Sequence, residues 1–250
     1  MDRQPTLLWE DNHLLAIDKP ARMLSAPDIT GDLSALDWAR ESIRIRHHKP
    51  GNVFTGLLHR LDRPVSGVLL FARTSKAASR LSEQFRTHAV QKRYLCLVQG
   101  APKQQAGELT DWLIKDEATN TVRRVRPGAP DARESRLRYL VRQQHRGLCL
   151  LEVELITGRS HQIRVQLAGI GLPLLGDRKY GGPSAAAEGS PRQQLPPGEL
   201  ALHARSLEFQ HPTRAERLRM AAPLPGHWAR LLGGSLPNDC LSSGSIPLEE

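Results

Sequence analysis

The sequence predicts an α+β fold built on a mixed, largely antiparallel sheet. Two observations carry this: strand-like segments recur along the whole chain, and few helical segments separate them. "TLLWEDNHLLAIDKP" reads as two short strands turned at Asp11-Asn12 and ended by Pro20. In "SALDWARESIRIRHH", Leu36, Ala39 and Ile43 recur at helical spacing and predict an amphipathic helix. "GLLHRLDRPVSGVLLFAR" reads as strand, exposed polar loop and strand, with Ser66-Gly67 supplying turn chemistry. "TSKAASRLSEQFRTH" follows as a helix, with Thr74 as N-cap and Leu81 and Phe85 on one face. "KRYLCLVQG" alternates as a half-buried strand does.

Between Val122 and Arg146 lie eight arginines. Their alternation with apolar or small residues in "RLRYLVRQ" predicts strands with one basic face. "GLCLLEVELITG" is the clearest strand. "RSHQIRVQLAGIG" then reads as a short helix with Ile163, Leu167 and Ile170 inward and Gly171 past its end. "PSAAAEGSPRQQLPPGE" is a low-complexity surface loop, "LALHARSLEF" a late strand and "PGHWARLL" a closing helix. One domain is expected over residues 1–235, with a disordered tail over 236–250.

Composition narrows the function. A hydrophobic fraction of 39% and a charged fraction of 24% fit a globular chain with a core, and no apolar run approaches the roughly 20 residues of a membrane span. The opening "MDRQPTLLWEDNH" lacks the features of a signal peptide. Cys96, Cys149 and Cys240 lie far apart and odd in number, which argues against a disulfide framework and for a reducing compartment, taken as the cytoplasm. The net charge of +9 favours a polyanionic partner, nucleic acid foremost. No phosphate-cradling glycine loop, no metal-ligand spacing and no GxSxG elbow is present, so neither cofactor nor metal is expected.

Two polar sets remain. In "HRLDRPVSG", Asp62 is the lone carboxylate, flanked by Arg60 and Arg63. It is either a surface ion pair worth about 0–1 kcal/mol or a catalytic carboxylate on a rigid support, held ionised by a neighbouring arginine. In "TGRSHQIR", Ser160 is a candidate helix cap, and His161 and Arg164 lie three apart on one face. Arg164 then either pairs with Asp62, with His161 or Arg159 on a backbone phosphate, or belongs to a capped helix with solvated polar residues. Lys19, Arg178 and Lys179 are either phosphate contacts or a solvated face.

These residues carry a resemblance. "HRLDRPVSG", with "WEDNHLLAIDKPARML", "KRYLCLVQG", "TGRSHQIRVQLAGIGLPLLGDRKYGG" and "LALHARSLEFQHP" in the same order, resembles the RluA-type pseudouridine synthases over most of the chain. The resemblance implies a pseudouridine synthase fold, a bent and mostly antiparallel sheet with flanking helices and a central active-site cleft. It implies isomerisation of uridines in structured RNA, tRNA or rRNA, with Asp62 as the catalytic carboxylate. Arg60 matches the arginine that enters the RNA stack, Tyr94 the tyrosine that packs on the flipped base, and Arg164 the arginine that pairs with the aspartate. Val65 stands where the family usually has threonine, which puts one local hydrogen bond in doubt. The chain is expected to act as a monomer, without an obligate protein partner and without the small RNA-binding domain many relatives carry in front. Substrate selection then falls to the arginine-dense middle and the loop near Pro183 to Gly198. The missing domain points toward transfer RNA. The rival readings are an inactive RNA-binding protein of the same fold and a glycosylase that cleaves without rejoining.

Overall fold

The structure is a computed structural model that describes residues 4–181 and 195–234. Most of the low-complexity loop and the tail over 236–250 lie outside the described residues. Within the span expected to form the catalytic domain, the chain groups into two compact units, residues 1–92 with 204–223 and residues 93–203 with 224–250. Eleven strands and four helices are present among the described residues, and every strand pairing with an assigned register is antiparallel.

In the first unit, β1 (Thr6–Glu10) pairs with β2 (Leu14–Lys19), and β2 with β4 (Ser66–Ala72). The short β3 (Gly56–Leu57) also pairs with β4, and β10 (Leu202–Gln210) follows β4 and pairs with β11 (Arg217–Ala221). The β1–β2 turn forms as expected, because Asp11 Oδ1 accepts from the amides of His13 (2.7 Å) and Leu14 (2.8 Å). Helix α1 (Ala35–Arg46) starts on a capping box between Ser34 and Asp37. Helix α2 (Ser75–Arg86) starts on Thr74, whose hydroxyl accepts from Ala77 N–H. Leu81 joins Leu14, Ala16, Val68, Leu70, Leu207 and Phe209 in one core cluster. Every residue of β2 and β4 is buried, which explains their unbroken apolar runs.

In the second unit, β5 (Gln91–Gln99) neighbours β9 (Leu148–Leu155), followed by β8 (Arg133–His145), β6 (Ala106–Asp116) and β7 (Thr121–Val125). The β8–β9 hairpin turns on Arg146 (φ 47°) and Gly147 (φ 77°), two left-handed residues whose twist matches paired strands. Helix α3 (Gln162–Gly169) and helix α4 (His227–Leu231) complete the unit. Trp228 and Leu231 of α4 pack with Leu95, Leu97, Leu148 and Leu150.

Three expectations need correction. β5 is buried on both faces from Lys92 to Val98, so it is an interior strand and not half-buried. Ile170 is 40% exposed, because α3 ends at Gly169 and the chain turns away before it. The basic face on β8 forms, with Arg136 and Arg138 outward and Ser135, Leu137 and Tyr139 buried, but carboxylates share it. Arg136 pairs with Glu134 (3.1 Å), Arg138 with Glu108 (3.1 Å), and Arg142 and Arg93 both grip Glu152. The charge of this segment is thus partly answered within the protein.

Gly67 shows how tightly the first unit is built. Its φ is +115°, and a Cβ there would lie 2.2 Å from Ala204 O and 2.6 Å from Ala204 N. Gly31 (φ +71°) has nothing within 4 Å of its Cβ position. Gly67→Ala is therefore expected to destabilise by more than ~3 kcal/mol, against about 1 kcal/mol for Gly31→Ala. Urea unfolding of both variants checks this, and equal losses would contradict the close approach of β4 and β10.

Candidate active site

Asp62 sits in the loop between β3 and β4, half-buried, with its two neighbours fastened on both sides. Leu61 is 5% exposed; Ser25 Oγ donates to its carbonyl (2.7 Å) and accepts from its amide (3.0 Å). The carbonyl of Arg63 accepts from Arg22 N–H (2.7 Å), and Arg63 Nε donates back to Arg22 O (3.1 Å). Val65 N–H donates to Asp62 O (3.0 Å) and closes a turn that delivers the chain into β4. Val65 itself is 2% exposed, so a methyl group fits where the family's threonine stands. A polar residue whose flanking peptides are fixed is aimed by the backbone, which suits a catalytic group.

His59 anchors the start of the loop. Its ring stacks on Phe85 (centroids 5.1 Å, planes at 22°), and its Nε2 accepts from Leu70 N–H of β4 (3.1 Å). An imidazole nitrogen that accepts from an amide is unprotonated, so the ring is neutral with its proton on Nδ1. Burial, helped by the charge of Lys92, pulls its pKa down to about 3.

Around this loop the expected RNA contacts divide. Arg60 and Arg63 are exposed, and Arg63 reaches Asp32 (2.5 Å). Lys19 is a correction: it is 0% exposed, neither a phosphate contact nor part of a solvated face. Its Nζ donates to Pro20 O (3.0 Å) and Met23 O (2.8 Å) and reaches Arg63 O at 3.5 Å. Burial lowers its pKa to about 7, while the carboxylates of Asp62 and Asp18 work against that shift. Its ammonium therefore ties the loop after β2 and lies in the electrostatic reach of Asp62.

Tyr94, Arg159, His161, Arg164, Arg178 and Lys179 belong to the second unit. Tyr94 is on β5 and is 9% exposed. Arg164 is on α3, a helix buried from Gln162 to Leu167 with no polar face turned outward. Its glutamines act as bolts. Gln162 Nε2 donates to Arg136 O (3.0 Å), and Gln166 Nε2 donates to Leu109 O (3.2 Å), Asp111 Oδ2 (3.0 Å) and Ser135 O (3.1 Å). Ser160 does not cap α3. The N-cap is His161 at φ 51°, without a side-chain cap bond, while Gln162 Oε1 accepts from Arg159 N–H (3.0 Å) and Thr157 Oγ1 (2.9 Å).

Arg164 is gripped side-on by Asp177, Nε to Oδ2 (2.8 Å) and Nη2 to Oδ1 (2.9 Å). Asp177 Oδ1 also accepts from Lys179 N–H (2.9 Å) and Tyr180 N–H (3.0 Å). Burial works to raise the Asp177 pKa, but these bonds and the Arg164 charge outweigh it and hold the carboxyl below the usual range. The guanidinium lies 5.0 Å from the Tyr180 ring centroid, and Tyr180 Oη is 2.6 Å from His161 Nδ1 and accepts from Val122 N–H (2.8 Å). Asp177 and Tyr180 are the members of this group that the sequence reading missed. The signal was present: "GDRKYG" encloses a carboxylate between two glycines that the fold needs. A Cβ on Gly176 (φ +85°) would meet Glu199 O at 2.7 Å, and one on Gly181 would meet Asp177 O at 2.0 Å. Arg178 and Lys179 are exposed, and Lys179 Nζ donates to Asn120 O (2.7 Å). Among the described residues, no three or more His, Cys, Asp or Glu gather as metal ligands.

The chain matches a family model described as RNA pseudouridylate synthase over residues 13–169. It is 35% identical over 235 residues to ribosomal large subunit pseudouridine synthase D of Xanthomonas campestris, covering 90% of this chain and 68% of the relative. It is 32% identical to an RNA pseudouridine synthase of Bacillus subtilis, covering 90% and 70%. Among solved structures it resembles human RNA pseudouridylate synthase domain containing 4, with a TM-score of 0.77 and 27% identity over 93% of this chain and 94% of the other.

Two predictions come from these surroundings. Arg164→Met leaves the Asp177 carboxylate buried without its cation, so it is expected to destabilise by about 3–5 kcal/mol. The double variant Arg164→Met, Asp177→Leu is expected to recover much of that loss, and a double-mutant cycle in urea measures it; strictly additive losses would mean the pair is not coupled. For His59, the folded pKa lies below the ordinary 6.5, so the unfolded chain binds the proton first and stability falls as pH drops from about 6.5 toward 3. His59→Gln keeps an acceptor for Leu70 N–H and cannot titrate there. Its urea midpoint is expected to vary less than that of the parent over this window, and parallel profiles would remove His59 from the acid response.

Proposed function

Because the chain belongs to the RNA pseudouridylate synthase family and is an RNA pseudouridine synthase, we propose that it converts specific uridines of structured RNA with Asp62 as the catalytic carboxylate. The observation that carries the reading is the half-exposed Asp62 between two hydrogen-bonded neighbours, Leu61 and Arg63. The reaction breaks the C1′–N1 bond, turns the uracil over and joins C1′ to C5; C5 loses its proton and N1 gains one. Base and ribose are inaccessible within a stack, so the nucleotide must be extruded at a cost of a few kcal/mol. Exposed Arg60 is suited to fill the vacated place by stacking its guanidinium plane on neighbouring bases. Asp62 then faces C1′, C2′ or the uracil ring, where positive character or a removable proton develops.

Arg164 is assigned to pair with Asp62 and keep it ionised. Support comes from how Asp177 holds it: the side-on grip uses Nε and Nη2, and a planar guanidinium carries further donors on Nη1. Tyr94 is assigned to pack on the flipped base and to take part in its final deprotonation. His161, Arg159, Arg178 and Lys179 are assigned to the RNA backbone. The relatives named for the large ribosomal subunit favour ribosomal RNA as substrate over the transfer RNA expected above. The protein is proposed to act in the cytoplasm as a monomer.

The test is to incubate the protein with uridine-labelled large-subunit ribosomal RNA, digest it, and separate the nucleosides. Pseudouridine supports the reading; free uracil would make the protein a glycosylase, and neither product would make it a binder. Asp62→Asn is expected to keep RNA affinity and lose all measurable isomerisation, so substantial residual turnover would remove Asp62 from its role. Tyr94→Phe keeps the ring and is expected to lose turnover with intact binding. Unchanged turnover would reduce Tyr94 to a platform.

A further inference from the structure

Arg22 has no part in the proposed reaction, yet its backbone is bonded to the loop that carries Asp62 through both its N–H and its carbonyl. Its N–H donates to Arg63 O (2.7 Å), and its carbonyl accepts from Arg63 Nε (3.1 Å). Arg22 makes both bonds from a left-handed backbone, with φ 73°. Glycine adopts that conformation freely, whereas a residue with a Cβ is disfavoured in it. Other non-glycine residues with positive φ have local accounts: Asn120 and Arg146 turn hairpins, and His48 and His88 follow helices α1 and α2. Arg22 lies in the turn that follows β2. A long cationic side chain stands where the backbone alone would favour glycine, and Arg22 is exposed.

Its placement gives the side chain a use. Arg63 adjoins Asp62, so the two bonds set Arg22 beside the residue that follows the candidate nucleophile. Arg63 itself is drawn to Asp32 (2.5 Å), which answers part of its charge, and Lys19 is buried under the loop. Arg22 and Arg60, like Arg63, are exposed residues of the rim that RNA would meet on approaching Asp62. We propose that Arg22 is a phosphate contact for the RNA strand flanking the target uridine, positioned by its paired bonds to Arg63. The inference deepens the assignment of RNA as substrate and rests on that reading.

The test uses the full chain with a transcribed large-subunit ribosomal RNA. Arg22→Gly removes the guanidinium and suits the left-handed backbone, so its Tm is expected to stay level or rise. Its Kd is expected to weaken roughly threefold to tenfold, and the salt slope of log K against log salt to shrink by about 0.7–0.9, the signature of one lost phosphate contact. Arg22→Lys is expected to keep most of the slope, since a phosphate contact needs charge more than a planar fork. A Kd and slope equal to the parent's in Arg22→Gly would overturn the inference, whether or not the parent forms pseudouridine. A lost contact in a protein that forms none would uphold Arg22 as an RNA ligand and overturn only the reaction.

Discussion

The double fastening of the loop around Asp62 is the constraint on which the account rests. The carboxylate proposed to act on a nucleoside must be ionised, reachable and aimed, and those demands conflict. Full burial would favour its neutral form, and full exposure would leave it mobile. The chain resolves the conflict by fixing the peptides on either side. Ser25 satisfies both polar groups of Leu61, Arg22 satisfies the carbonyl of Arg63, and His59 clamps the loop entry to β4. Asp62 is left half-exposed between hydrogen-bonded neighbours. The loop after β2 is thus a scaffold for the site as much as a connection, and Lys19 holds it together from below through three backbone carbonyls.

The second unit shows a parallel solution for a cation. Arg164 lies on a helix without the usual division into apolar and polar faces, so its orientation cannot come from amphipathic packing. Asp177 supplies it through two parallel bonds and is itself caught by two backbone amides. Such a buried pair adds little net stability relative to an apolar pair, but losing one partner is costly. Its value here is geometric, since the guanidinium can adopt only one orientation while Asp177 and the Tyr180 ring hold it.

Periodicity made much of this legible. The strands at β1, β2, β4, β9 and β10, the helices at α1 and α2, and the cap at Thr74 follow from spacing and local hydrogen bonding, which a linear sequence displays. What it hid was partnership at long range. Lys19 reads as a surface cation because the carbonyl of Arg63, 44 residues away, is invisible to a pattern. The arginines of β8 read as a basic face because their counter-charges come partly from β6, with Glu108 opposite Arg138. Ser160 reads as a cap because nothing local shows that Gln162 folds back to satisfy the Arg159 amide. Asp62 stood out in the sequence as a lone carboxylate among cations, and its catalytic role is the proposal made above. Asp177 was missed because its meaning depends on Arg164, thirteen residues before it.

The most direct measurement is a crystal structure of the Asp62→Asn protein bound to RNA carrying 5-fluorouridine at a modified site. The account predicts an extruded nucleoside, with the residue 62 side chain in van der Waals contact with its ribose or uracil and Arg164 reaching that side chain. A target base still stacked in the RNA, or a residue 62 remote from it, would contradict the account.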